Sequence, residues 1–154
     1  MLRVSMMLAD HAAAGAGKLY ISGGGWSIVG PGPTPGAIAM DVKVPWDERT
    51  HEFKMLLELL DADGHPVLVP TPHGVQPLRI ESTLKLQGPF DEAVKQGTPL
   101  DAPWAINYPP IPLAPAARYE WRLSVDGHMD EDWTLPFTTR AIQTSDAEPE
   151  AEAA

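Results

Sequence analysis

Cysteine is absent from all 154 residues, which excludes a disulfide framework, a thiolate nucleophile and a Cys-ligated zinc. Such a chain must hold its fold by core packing alone, and at this length one domain can do so. Long apolar runs are missing too, since none approaches the roughly 18 residues of a membrane helix. The opening "MLRVSMMLADH" reaches Asp10 and His11 before a signal-type apolar region is complete, has no small-residue cleavage site, and reads as a first strand. A soluble, cytoplasmic protein with no membrane partner is the expectation. Basic residues are scarce, 11 Lys and Arg against 21 Asp and Glu, for a formal net charge of −10. A nucleic-acid binder must neutralise phosphates with clustered cations, so that class of partner is excluded.

Proline and glycine are plentiful, 17 and 13, and they are spread so evenly that helical windows scarcely exist between them. The one helical turn expected lies in "PFDEAVKQG", with Asp91 as its cap and Gly97 as its end. Between the breakers lie runs of strand character at 2–8, 17–22, 37–44, 51–61, 77–87, 102–108, 118–126 and 132–140. In one of them Leu78, Ile80, Leu84 and Leu86 share a face, with Arg79, Glu81, Thr83 and Lys85 on the other. Asp-Gly pairs in "DADGHP" and "VDGH" mark tight hairpins, the first joining strands near 59 and 67. The second builds a C-terminal hairpin whose Tyr119, Trp121, Leu123 and Val125 face the core beside Trp133, Leu135 and Phe137. Many short strands with turn chemistry between them predict an antiparallel β-sandwich of about seven to nine strands with at most a short helix. The predicted domain spans 1–140, and 141–154 is expected to be a disordered acidic tail. Its Asp146, Glu148, Glu150 and Glu152 leave −6 for residues 1–140, which hold 17 acidic and 11 basic groups.

In "LAPAARYEWRLSVDG", Leu113 and Pro115 lead to Tyr119 at the foot of a strand, an arrangement that resembles the tyrosine corner of immunoglobulin-like and fibronectin type III sandwiches. The resemblance covers the last third of the chain. Trp121 stands where an antibody-type domain carries Cys, so a disulfide-free fibronectin-like or bacterial immunoglobulin-like core is the closer comparison.

Function classes with a recognisable motif are mostly excluded. "GKLYISGGGW" is no phosphate loop, because Lys18 is followed by Leu19 and Ala12 stands where the first motif glycine belongs. Nor is it a dinucleotide fingerprint, since "WSIVGPGPTPG" cannot form the helix that would hold a pyrophosphate. The five histidines, His11, His51, His65, His73 and His128, lack metal-ligand spacing. No serine lies in a nucleophile elbow, and the acidic residues fall on solvent faces with no reason for acid–base roles. An EF-hand is excluded because "DADGHPVLVPTP" has no Glu at its twelfth place. A hard-cation site remains open, requiring Asp61 and Asp63 to converge at one end of the sandwich with Asp126, Asp130, Glu131 and Asp132.

Two tryptophans stand in loops. Trp26 follows three glycines and precedes Ile28, Val29 and the stiff "GPGPTPG" with Pro31 and Pro33, whereas Trp46 sits in "VPWDERT". A loop Trp beside prolines serves either as a plug over an open sandwich end or as a recognition surface. Trp26, Ile28, Val29, Pro31, Pro33 and Trp46 are therefore the candidate partner-binding residues. Taken whole, the chain resembles a family of small uncharacterised bacterial proteins with an "LAD…GKLY…GGGW" opening, here Leu8 to Asp10, Gly17 to Tyr20 and Gly23 to Trp26, and a "YEWRL…DG" hairpin. That resemblance implies no activity. The expected function is a non-enzymatic interaction or structural module, without cofactor, that binds a protein partner or a second copy. A small-molecule or carbohydrate-binding sandwich using the loop tryptophans is the alternative, and an enzyme of unknown class comes third.

Overall fold

The computed structural model describes residues 2–143, and the predicted acidic tail from 144 onward lies outside the described residues. Alternating apolar residues between Pro and Gly breakers leave the chain little but strand to form. It forms β1 (Arg3–Gly15), β2 (Lys18–Gly24), β3 (Ile28–Val29), β4 (Thr34–Val44), β5 (Phe53–Asp61) and β6 (Leu68–Thr71). There follow β7 (Gly74–Pro77), β8 (Arg79–Leu84), β9 (Leu100–Asp101), β10 (Trp104–Ile111), β11 (Arg118–Val125) and β12 (His128–Thr139). Eight of these are six residues or longer, and among the described residues the helical content is a single 3-10 turn at Trp46–Glu48. The turn expected at 91–97 is an Asx turn in which Asp91 Oδ1 accepts from Ala93 N–H, and it does not continue into a helix.

Two five-stranded sheets face each other, β10-β4-β1-β2 with β9 beside β4, and β3-β12-β11-β5-β8. All their pairings are antiparallel except β3 with β12. The hairpin β6–β7, which follows β5 and precedes β8 along the chain, forms a small third sheet. Period-two alternation puts Ile38, Met40, Val42 and Val44 of β4 against Met55, Leu57 and Leu59 of β5 and Tyr119, Trp121, Leu123 and Val125 of β11. Trp121 is fully buried and tilts against Tyr108 at a ring distance of 5.4 Å, joining the two sheets. Burial pushes the Tyr108 hydroxyl up to about 12. The neighbouring Trp121 indole N–H offsets part of that rise, without the alignment of a formed hydrogen bond.

The corner before β11 is held by polar groups. The Tyr119 hydroxyl accepts from Ala114 N–H at 2.9 Å, five residues upstream. The buried Thr139 hydroxyl donates to Ala114 C=O at 2.6 Å and accepts from Ala117 N–H at 2.9 Å, fastening the same loop to β12. The predicted hairpin turn is present, with Asp126 and Gly127 at φ 51° and 81° between paired Val125 and His128.

Candidate functional site

The loop residues singled out from sequence do not form one site. Trp26 is half-buried, meets Phe137 edge-to-face at 6.2 Å and buries its indole N–H without a partner, which is the packing of a plug. Ile28 is 49% exposed, and Val29 is tied to the end of β12, where Arg140 N–H donates to its carbonyl at 2.9 Å. Pro31 and Pro33 lie on the exposed loop beyond. Trp46 belongs to the opposite end, because it follows β4 where Val44 meets Leu100, whereas Trp26 packs where Phe137 meets Tyr119. The Arg49 guanidinium covers one face of Trp46 at 4.3 Å. Its surroundings form an open cavity of about 340 Å³ with Arg3, Lys43, Pro45 and Pro99 among the lining residues.

The acidic turns do not converge either. Asp61 pairs with Tyr119 at one end of β5 and β11, and Met55 pairs with Val125 at the other. Six residues of strand separate them by roughly 20 Å at the usual rise. Asp61, Asp63 and His65 do approach one another. Backbone chemistry accounts for this, because Asp61 Oδ1 accepts from the N–H groups of Asp63 and His65, both at 2.9 Å. At the far turn, Asp126 Oδ1 accepts from Lys54 N–H at 2.8 Å and Oδ2 meets His51 Nε2 at 3.0 Å. The Lys54 amide, then His51, holds the Asp126 carboxyl below its ordinary value. Lys43 is held up by its hydrogen bond to Asp101 and by Asp41 at 3.4 Å, so this one of the cations around the Trp46 cavity is paired with two carboxylates. Asp63, His65, His51 and Asp126 are exposed and Asp61 and Lys43 half-buried, and the partners found for them are backbone amides and neighbouring charged side chains.

The feature that stands apart is the hairpin β1–β2. The sequence run expected to end near residue 8 continues to Gly15, turns through Ala16 and Gly17 at φ 51° and 75°, and returns as β2. Only the first half of β1, Arg3 to Ala9, pairs with β4; the second half pairs with β2. Small side chains let this second half settle on the outer face of its own sheet. Ala9, Ala12, Ala37 and Ala39 form a separate buried cluster there, with Ala105 packed against it. The Asn107 side chain holds the contact by accepting from Ala12 N–H at 3.1 Å and donating to Ala12 C=O at 2.8 Å. Gly24 leaves room for two neighbouring side chains, since a Cβ there would meet Ile21 Cγ2 at 2.7 Å and Met7 Sδ at 2.8 Å.

β2 is an edge strand, and it carries exposed apolar groups, Tyr20 at 57% and Ile21 at 39%, beside Met7 at 39%. The other edges differ. β10 carries Pro109 and Pro110 near its end, β8 presents Arg79 and Glu81, and β3 and β9 are two residues long; the four-residue strands β6 and β7 expose Leu68 and Val75 but each contains a proline. Local signals for the hairpin exist in "GAGK", a Gly-bounded two-residue turn, but Ala12, Ala13 and Ala14 carry little strand propensity and conceal it.

Fold and surface together define an all-β antiparallel sandwich with a hairpin lying on the outside of one sheet and an open edge strand at its margin. The model of a family of unknown function, DUF6941, matches residues 4–138, and the chain belongs to that family. No curated protein and no solved structure gives a significant match. Among the described residues no helix is long and apolar enough to cross a membrane.

Proposed function

We propose that this domain is a non-enzymatic interaction module, related in plan to immunoglobulin-like sandwiches, that docks an extended chain along the open edge of β2. One observation carries the reading: β2 is the single long edge among the described residues that lacks proline and alternating charge, and it displays Tyr20 and Ile21. Edge addition draws affinity from main-chain hydrogen bonds and specificity from alternate side chains, which needs no cofactor and no perturbed titratable group. Selection of a random peptide library against the domain, followed by two variants, tests it. Binding of enriched peptides should be lost in Ile21→Pro, which removes an edge donor, and retained in Trp46→Ala. Retention in Ile21→Pro overturns the reading.

A second reading, a carbohydrate or small-molecule site, is favoured by the open cavity beside Trp46, whose ring has one face free of Arg49. Trp26, packed on Phe137 at the other end, takes no part in it. Quenching of tryptophan fluorescence by a carbohydrate panel, abolished in Trp46→Ala, would establish this reading instead.

A further inference from the structure

We infer that the chain docked on β2 is the β2 strand of a second copy, related by a two-fold axis through Tyr20. The inference rests on the edge-docking reading above and names its occupant.

Backbone register supplies the first argument. In a two-residue hairpin the residues flanking the turn, here Gly15 and Lys18, form a hydrogen-bonded pair, and such pairs then alternate with non-hydrogen-bonded ones. Lys18, Tyr20 and Ser22 therefore direct their backbone groups to β1, while Leu19 and Ile21 direct theirs outward. The Ala12–Ile21 pair carries the proof of this phase. Ala12 turns its N–H and C=O away from β2, where Asn107 takes both. Its cross-strand partner Ile21 must turn its own away from β1, toward solvent.

Two such edges are self-complementary. An antiparallel pairing centred on Tyr20 sets Leu19 against Ile21 of the second copy and Ile21 against its Leu19, as two hydrogen-bonded pairs. Tyr20 meets its own symmetry mate as a close, non-hydrogen-bonded pair, a favourable place for two aromatic rings. Lys18 falls opposite Ser22, so no like charges oppose. Centring on Ile21 would instead pair Leu19 with Gly23, whose φ of 61° leaves the extended strand.

Charge supplies the second argument. A copy carrying −10 repels its own kind nearly everywhere, yet residues 11–40 contain no Asp or Glu and only Lys18 among Lys and Arg. The hairpin is thus the part of the surface where two copies approach with least repulsion. A contact of one short strand pair is small, so the dimer should be weak, concentration-dependent and strengthened by salt that screens the remaining acidic surface.

The absence of cysteine makes the test direct. Paired Cα atoms about 4.5 Å apart at a non-hydrogen-bonded position are within disulfide reach. Under mild oxidation Tyr20→Cys should form a covalent dimer, Lys18→Cys alone should not, and a mixture of Lys18→Cys with Ser22→Cys should. Sedimentation should show reversible dimerisation of the unmodified protein, weakened about tenfold or more in Tyr20→Lys, where two like charges meet on the axis. A protein monomeric at every concentration, with peptide binding still sensitive to Ile21→Pro, overturns the second copy and leaves edge docking standing. A dimer indifferent to Ile21→Pro, in which Tyr20→Cys fails to link, overturns the pairing of two β2 strands, and peptide binding that also survives Ile21→Pro overturns edge docking with it.

Discussion

Replacing Asn107 by Ala tests how the hairpin is attached to the sandwich. The carboxamide makes two hydrogen bonds to the backbone of Ala12, at 3.1 and 2.8 Å, and Ala12 itself is fully buried. Each such bond contributes about 1 kcal/mol net, and truncation leaves a buried N–H and C=O with no protein partner, so the local cost is about 2 kcal/mol. The main core, built from the inner faces of both sheets, contains neither Asn107 nor Ala12. The loss should therefore fall on one unit: amide exchange across residues 10–24 should quicken roughly thirtyfold, the factor equivalent to 2 kcal/mol, while β5 and β11 stay protected. Hydrogen exchange read by mass spectrometry or NMR measures both regions in one sample. Asn107→Asp keeps an acceptor for Ala12 N–H but sets a carboxylate against Ala12 C=O, and it should release the hairpin at least as much. Equal acceleration throughout the sandwich, or none in the hairpin, would refute the idea that one carboxamide fastens a separable unit.

Tyr119→Phe should lower stability by about 1–2 kcal/mol in chemical denaturation, because the Ala114 N–H loses its acceptor at a half-buried corner; coincident curves would show that the corner does not depend on the hydroxyl. Asp126 has a folded pKa below its unfolded one, so its contribution is present above the ordinary carboxylate value and is lost as pH falls through the folded value. In Asp126→Asn, which tolerates the left-handed turn and still accepts from Lys54 N–H, the melting-temperature difference from the unmodified protein should shrink as pH falls below about 4; a constant difference would disprove the linkage.

What the sequence reveals and what it conceals follow from the same chemistry. The sandwich is legible because its inner residues alternate strictly: Tyr119, Trp121, Leu123 and Val125 are all buried, and Leu78, Ile80, Leu84 and Leu86 all lean on the core. The Asp126-Gly127 turn is legible because few residue pairs tolerate positive φ twice. Of the hairpin, β2 is legible as the run at 17–22, whereas the second half of β1 is not, because its contact with the sheet is made by alanines. Ala12, Ala37 and Ala39 are buried but small, and their value is that they let two backbones come close enough for Asn107 to reach Ala12. Periodicity measures burial, so a surface built on smallness leaves no periodic trace. "GGGW" leaves its tryptophan two roles, a plug or a recognition surface. In the structure Gly24 makes room for Ile21 and Met7, and Trp26 turns inward onto Phe137. The apolar exposure of this stretch thus sits on Tyr20 and Ile21 before the glycines and on Ile28 after them, with Trp26 turned inward between. Side-chain bulk is withdrawn at Gly23, Gly24 and Gly25, so the chain can leave the edge strand, cross to the other sheet and close the sandwich with the same tryptophan. The glycines separate an outward-facing strand from an inward-facing plug.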